Sequence, residues 1–233
     1  MPKYFVYTVV FSRTPQDSVR FIGFQKRAKG YYFSSRSGTI IPQGQPLKGA
    51  AKFALPGGAF EGVDWDANND VLAQCQKEFT EECGRQISFV TNDDVVSGVV
   101  EDDDAVIHAV AYLQRWAVVI QGAPNIKGYA AMYLKVPDKA LDLFAAYIGA
   151  CLDQRNQAAQ KIIKGEWKAG DYAKIAQQFP LAPPDDEIDL IEPPIRVIAQ
   201  GEFNDDPLIN SLEGDSDTDW FAQILKGLET IDG

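Results

Sequence analysis

The sequence predicts a single α/β domain of 233 residues. Runs of apolar, β-branched and aromatic residues alternate with turn residues through the first half of the chain, which indicates a series of strands. Two later segments, at about 138–180 and 219–231, repeat apolar residues at helical spacing. A short acidic helix lies between the predicted strands, so strands and helices are interleaved as in an α/β fold.

Alternation and β-branched content place the strands. They are predicted at 4–11, 18–27, 52–56, 86–89, 95–100, 105–116, 130–136, 187–191 and 195–199. The apolar stretches 31–33 and 38–41 are expected to extend the same sheet. The proline- and glycine-containing stretch 42–46 is expected to be a loop.

Capping residues and apolar periodicity place the helices. The acidic helix is expected to start near Asp70 as its N-cap and to end at Gly84 as its C′ glycine. Residues 138–180 are predicted to form a helical insertion that caps the active site or provides an oligomer surface, which makes a homodimer plausible. An acidic linker at 204–219 leads to a terminal amphipathic helix at about 219–231, whose apolar face is expected to pack.

Charge and cysteine content exclude several classes of protein. A net charge of -11 argues against general nucleic-acid binding, because the phosphate backbone requires a basic surface. No apolar run is long enough for a membrane helix, and the N-terminus lacks the pattern of a signal peptide. Three widely spaced cysteines favour reduced thiols and a cytoplasmic protein. The single histidine, His108, lies in an apolar strand and is expected to be a core or sheet-face residue.

Three glutamates at i, i+3 and i+4 carry the chemical signal. Glu78, Glu81 and Glu82 crowd one side of the acidic helix, and a glycine turn, Gly57-Gly58, precedes that helix. Like charges packed together need a compensating cation. Carboxylate oxygens favour a hard divalent metal, Mg²⁺ or Mn²⁺, which is typically used to handle phosphates.

The glycine turn and the acidic helix together resemble the Nudix box of the Nudix hydrolases. That pattern is a glycine, five residues, an acid, seven residues, then Arg-Glu-apolar-x-Glu-Glu-x-Gly-apolar. Here Gly58 and Asp64 fill the first two positions, Lys77 stands for the Arg, and EFTEECG at 78–84 follows in order. Two departures are Lys for Arg, which removes a planar fork, and a loop about five residues longer than the pattern.

The resemblance implies a Nudix α/β/α sandwich with a mixed sheet and a helical insertion. It also implies that Glu78 and Glu82 are metal ligands, that Glu81 is a ligand or orients the water, and that the backbone carbonyl of Gly57 completes the inner sphere. Lys77 would support the carboxylates. The implied reaction is Mg²⁺-dependent hydrolysis of a nucleoside diphosphate linked to another moiety, such as ADP-ribose or a dinucleotide.

Two other functions stay open. A catalytically weak Nudix-like domain could sense a nucleotide metabolite, and the substitutions at Lys77 and Asp64 and the long loop favour that alternative. A nucleoside triphosphate, a diphosphoinositol or a capped RNA could instead be the substrate. The basic first segment, with nine Lys or Arg and one Asp in residues 1–52, is the only hint of the latter two.

The general base is expected outside the box. Glu187, at the start of a strand after the helical insertion, is the first candidate, and Asp185 and Asp186 are its neighbours. The acidic tip at 101–104 is the runner-up.

Substrate contacts are expected from the basic first segment and from the box. The candidates are Arg27, Arg36, Lys52 and Asp64. Nucleobase stacking is considered for four aromatic residues, Tyr31, Tyr32, Phe33 and Trp65.

Overall fold

The computed structural model describes residues 3–84, 87–92, 95–102, 105–119, 126–213 and 219–231. Only the backbone is described at 87–92, 95–102, 105–108, 117–119 and 126–127. The described strands are β1 Lys3–Arg13, β2 Ser18–Lys26, β3 Lys29–Phe33, β4 Thr39–Pro46, β5 Phe53–Ala54, β6 Gly57–Ala59, β7 Ile87–Asn92, β8 Val95–Asp102, β9 Ala105–Val119, β10 Ile126–Lys135 and β11 Ile188–Ala199. The described α-helices are α1 Asn68–Cys83, α2 Asp138–Ile163, α3 Ala173–Gln178, α4 Pro207–Leu212 and α5 Asp219–Thr230.

The main sheet has nine strands in the order β11-β2-β1-β10-β9-β8-β7, with β5 added to β2 and β6 added to β1. Strands β1 and β10 are parallel, from Lys3↔Lys127 to Phe11↔Lys135. The other described pairings in this sheet are antiparallel. The chain is therefore a mixed α/β protein with a mixed sheet, which confirms that part of the prediction.

Helices cover both faces of this sheet because β1 alternates its apolar side chains. Val6 and Val10 pack into one core with the apolar faces of α1 and α2. Val9 and Phe11 point the other way, into a second core with α4 and α5. The central strand is thus buried on both faces, which explains its nearly unbroken apolar run.

The prediction for residues 31–46 was wrong. Strands β3 and β4 do not join the main sheet but form a separate two-stranded sheet. Tyr32 and Ile40 bury their side chains in a third core, against Ile162 and Trp167, so this apolar pair is covered away from the main sheet. The predicted loop at 42–46 is part of β4, an edge strand that can accommodate its two prolines.

Helix α2 belongs to the interior of the chain. Leu141, Phe144 and Ile148 pack under the main sheet, and Ala158 and Ile162 pack against β3 and β4. This apolar stripe is buried within one copy of the chain, so it gives no support to the expected homodimer.

Several elements differ from the predictions in their bounds or number. Helix α1 begins at Asn68, not near Asp70. The two strands predicted after 187 are one strand, β11, with a register shift between Leu190 and Ile195. The predicted acidic linker contains α4, because the Asp206 carboxylate caps the N–H groups of Leu208 and Ile209 at 2.8 and 3.2 Å. Residues 214–218 of that linker lie outside the described residues.

The C-terminal helix α5 packs as its periodicity predicts. Phe221, Ile224, Leu225 and Leu228 are buried on its inner face against the second core. Among the helices that the structure describes, none is long and apolar enough to cross a membrane.

Candidate active site at the glycine turn

The glycine turn is held against the central strand of the sheet. Strand β6 pairs with β1, with Gly57 opposite Tyr7 and Gly58 opposite Val6. At Gly57, where φ is +155°, a Cβ atom would collide with the Val6 carbonyl oxygen and lie 2.8 Å from the Tyr7 Cα. Glycine is therefore required here by the close approach of two backbones.

Helix α1 brings the Glu82 carboxylate onto this turn. The Gly57 N–H donates a hydrogen bond of 2.8 Å to Glu82 Oε2, and Glu82 is only 5% exposed. Burial raises the pKa of Glu82 to about 8, against the opposing effect of the Lys26 ammonium. Gly57 thus meets Glu82 through its N–H, while the predicted role of its carbonyl as a metal ligand stays a prediction.

The Glu78 carboxylate lies on the adjacent glycine. A Cβ atom at Gly58 would lie 3.0 Å from Glu78 Cδ, so only glycine leaves room for this side chain. The buried Gln74 amide, one turn earlier on α1, donates to Glu78 Oε1 at 2.7 Å. Burial raises the pKa of Glu78 to about 7. Two carboxylates of the predicted ligand set therefore converge on two consecutive glycines.

Glu81 connects the helix to the loop before β11. Its backbone carbonyl accepts a hydrogen bond of 2.9 Å from the Asp185 N–H. Its half-buried side chain has a raised pKa, first because of burial and despite nearby Lys77. The third glutamate of the box thus faces the segment that carries the three candidate bases.

Of those three acids, Glu187 is the one that reaches the Glu82 side of the site. Its carboxylate lies 2.5 Å from Lys26 Nζ, and its charge helps to raise the pKa of Glu82. Lys26, at the end of β2, is placed there because β2 and β11 pair with Lys26 opposite Ile188. The structure thus brings together Glu187, Lys26 and Glu82.

Asp185 and Asp186 are instead used to hold the small sheet. Asp186 accepts hydrogen bonds from the N–H groups of Tyr31 and Tyr32, at 2.7 and 3.1 Å. Asp185 accepts one from the Ser34 N–H and one from Ser35 Oγ. Both carboxylates therefore serve as anchors, and burial raises their pKa values to about 6 for Asp185 and about 7 for Asp186.

The runner-up for the base, the acidic tip at 101–104, is only partly described. Of the acidic tip at 101–104, residues 103 and 104 fall outside the described residues, and Glu101 and Asp102 are described only as backbone of β8.

Two residues of the predicted box make their direct contacts in the loop. Lys77 Nζ pairs with the Glu61 carboxylate at 3.0 Å, and both side chains are largely exposed. Asp64 is exposed in the long loop, where its carboxylate accepts the Asp66 N–H at 2.9 Å. The Lys77 charge also lowers the pKa values of Glu78 and Glu81, against the effect of burial.

The predicted substrate cations are separated. Arg27 is largely buried and lies 3.4 Å from both Asp186 and Asp189. Arg36 is exposed and donates a hydrogen bond to Gln45 Oε1. Its guanidinium carbon lies 4.3 Å from the centroid of the Phe33 ring. Lys52 differs, because it lines a cavity beside the glycine turn.

This cavity, here called the lysine pocket, has a volume of about 210 Å³. Lys26, Lys48 and Lys52 supply its cationic lining. Its aromatic lining is Tyr7, Phe53, Trp220 and Phe221, and Gly57 forms the border with the carboxylates.

The four aromatic residues considered for stacking lie elsewhere. Tyr32 and Phe33 are fully buried, and Tyr31 packs beside them in the third core. Trp65 stacks on Tyr4 with ring centroids 4.4 Å apart. The burial of Tyr32 and Phe33 leaves them no ring surface for stacking on a ligand, whereas Tyr31 and Trp65 are partly exposed and their role stays a prediction.

The three cysteines, Cys75, Cys83 and Cys151, are free and buried. Burial raises the pKa of the Cys75 thiol to about 12 and that of Cys151 to about 11. His108 lies in β9, and only its backbone is described.

The donor set fits Mg²⁺ in one specific way. Among the described residues, no three His, Cys, Asp or Glu side chains are grouped closely enough to hold a metal ion by themselves. Mg²⁺, however, is usually bound by one or two carboxylates, with waters and substrate phosphates as the other ligands. Glu82, which is buried, and Glu78, which is half-buried, lie four residues apart on α1 and fit that requirement, and burial raises the pKa values of both.

Comparison with known proteins adds no identification. No protein-family model matches the chain, and no curated protein is significantly similar to it.

Proposed function

We propose that this protein is a Nudix-type pyrophosphohydrolase that uses Mg²⁺ or Mn²⁺ to hydrolyse a nucleoside diphosphate linked to another moiety. The observation that carries the proposal is the convergence of Glu78 and Glu82 on Gly58 and Gly57. Holding the buried Glu82 carboxylate beside the half-buried Glu78 carboxylate is unfavourable unless cations compensate them. Binding of a divalent cation would account for that arrangement.

Each residue has a role that its contacts support. Glu78 and Glu82 would hold the metal, with Gln74 and the Gly57 N–H fixing their orientation. The bound metal would offset charge on the phosphate oxygens. Glu187 would accept a proton from the attacking water, whose oxygen forms a bond to phosphorus as the bridging P–O bond breaks.

Lys26 supports this assignment of the base. Its ammonium lies 2.5 Å from the Glu187 carboxylate and its charge also acts on Glu82, so it holds the proposed base beside a proposed metal ligand. A general base must lie within hydrogen-bond reach, directly or through one water, of the proton that it accepts.

The test is product formation with Mg²⁺ from ADP-ribose, a dinucleotide such as NAD and a nucleoside triphosphate. Wild type is compared with Glu82→Gln and with Glu166→Gln, a matched change in an exposed pair with Lys161. We expect Glu82→Gln to lose at least about 100-fold in turnover, since metal-dependent chemistry needs this ligand. Glu166→Gln should retain wild-type turnover.

Two outcomes would overturn the proposal. Turnover unchanged in Glu82→Gln would remove the metal assignment. Absence of turnover across the panel, with measurable nucleotide binding, would instead identify a sensor domain of Nudix type.

A further inference from the structure

We infer that the lysine pocket binds one end of the substrate, and that this end carries an aromatic base and a phosphate in addition to the scissile diphosphate. This inference rests on the proposed function only for the position of the scissile diphosphate at the carboxylates. The binding chemistry itself is argued from the pocket.

The size of the pocket shows how much of a ligand it can take. At about 210 Å³ it is smaller than the 300–1,000 Å³ of pockets that enclose a whole drug-sized ligand. It borders Glu82 through Gly57. One end of a substrate can therefore occupy it while the other end lies over the carboxylates.

The charge of the lining selects an anion. The described lining residues include three lysines and no Asp or Glu, in a chain with a net charge of -11. Lys26 is paired with Glu187 and acts on the Glu82 side. Lys48 and Lys52 stand on the neighbouring loop, so a second, separate cationic position exists beyond the carboxylates.

That loop is fixed by the backbone of β2. Lys26 N–H donates to the Lys52 carbonyl at 2.9 Å, and Ala51 N–H donates to the Lys26 carbonyl at 2.8 Å. Ala51 has a φ of +62°, a conformation that residues with a Cβ rarely adopt. Lys48 and Lys52 thus start from a pre-organised backbone, which lowers the entropic cost of binding a phosphate.

The aromatic part of the lining consists of rings that pack on one another. Trp220 contacts the Tyr7 ring with centroids 4.0 Å apart and stacks on Tyr129 at 5.0 Å. It is only partly buried and so presents ring surface to the pocket. Aromatic rings of this kind bind nucleobases by stacking, without selecting one base.

The test measures binding without metal, by calorimetry in EDTA, so that hydrolysis cannot contribute. Two ligand pairs differ by one phosphate: AMP against adenosine 2′,5′-bisphosphate, and ADP against ATP. The first pair places the additional phosphate on the ribose, and the second extends the chain. We expect at least one pair to show about tenfold tighter binding of the ligand with more phosphate, as for a charge-assisted contact.

Variants assign that preference to residues. The double variant Lys48→Gln/Lys52→Gln should abolish the preference and leave the weaker ligand of the pair within about threefold of wild type. Trp220→Leu should weaken both ligands of the pair about equally, by about tenfold. Lys164→Gln, an exposed lysine after α2, is the matched control and should change neither.

Equal affinities within both pairs, or a preference that survives the double lysine variant, would overturn the inference. The proposed function fails separately: phosphate-dependent binding without any turnover in Mg²⁺ would refute hydrolysis and leave this inference standing.

Discussion

The Lys26 ammonium lies 2.5 Å from the Glu187 carboxylate, with both side chains about a quarter exposed. The pair joins the end of β2 to the residue before β11, and its positive charge also acts on Glu82. One lysine thereby offsets two acids that the fold places together. The consequences can be measured in the metal-free protein.

Lys26→Met should lower the free energy of unfolding by about 2 kcal/mol at pH 8 in EDTA, because it leaves Glu187 and Glu82 without their cation. The measurement is chemical denaturation. Lys77→Met, which removes an exposed lysine from its pair with Glu61, should cost less than about 0.5 kcal/mol. Similar losses in the two variants would show that Lys26 has no special electrostatic role.

The metal-free protein should become less stable as pH rises from about 5 to about 8. Burial raises the pKa values of Glu78 and Glu82 to about 7 and 8, above the value of about 4 in an unfolded chain. The folded state therefore binds more protons than the unfolded state in this window. The stabilisation from protonated Glu78 and Glu82 is lost as pH rises through their folded pKa values. We expect Tm to fall by at least about 5 °C, by calorimetry in EDTA.

The same titration predicts the effect of metal. Mg²⁺ competes with protons for these carboxylates, so it should raise Tm more at pH 8 than at pH 5.5. Glu82→Gln should flatten the pH profile and reduce the Mg²⁺ shift. A pH profile that is unchanged in this variant would mean that general charge repulsion, and not this site, controls the stability.

Gly58→Ala should weaken Mg²⁺ binding by at least about tenfold, since the added methyl group displaces the Glu78 carboxylate. Calorimetric titration with Mg²⁺ measures this. Gly170→Ala, where a Cβ would meet nothing within 4 Å, is the matched control and should bind Mg²⁺ like wild type. Gly57→Ala should cost more than about 2 kcal/mol of stability, because its Cβ would meet backbone.

Glu187→Gln and Asp186→Ala should have opposite effects. The first removes the proposed base and should lower kcat by about 10²-fold or more, with a small change in stability. The second leaves two backbone N–H groups without their acceptor and Arg27 with Asp189 as its remaining partner, so it should lower stability by about 3 kcal/mol. Its turnover per folded molecule should stay close to wild type. A reversal of these effects would move the base to Asp186.

The sequence was sufficient for features that depend on local pattern. Strand β1, helix α1 and helix α5 follow from apolar periodicity, and the clustering of Glu78 and Glu82 follows from their i, i+4 spacing. Gln74 could have been found in the same way, because it stands four residues before Glu78 on the same face.

Features that depend on distant pairing could not be found. Lys26 acquires its role only when β2 pairs with β11. In that pairing Lys26 lies opposite Ile188, which is 162 residues later in the chain. The lysine pocket needs the pairing of β5 with β2 and of β6 with β1 and, in addition, the docking of α5, which supplies Trp220 and Phe221. The small sheet was assigned wrongly because alternation predicts a strand but not which sheet it joins.

The parallel pairing of β1 with β10 has a consequence for biosynthesis. Strand β1 leaves the ribosome before its partner, Ile126–Lys135, which is made more than a hundred residues later. The segment between them contains the glycine turn and all of α1. The central strand therefore has an open edge until β10 has been made, and the sheet on which the glycine turn and α1 pack is incomplete until then.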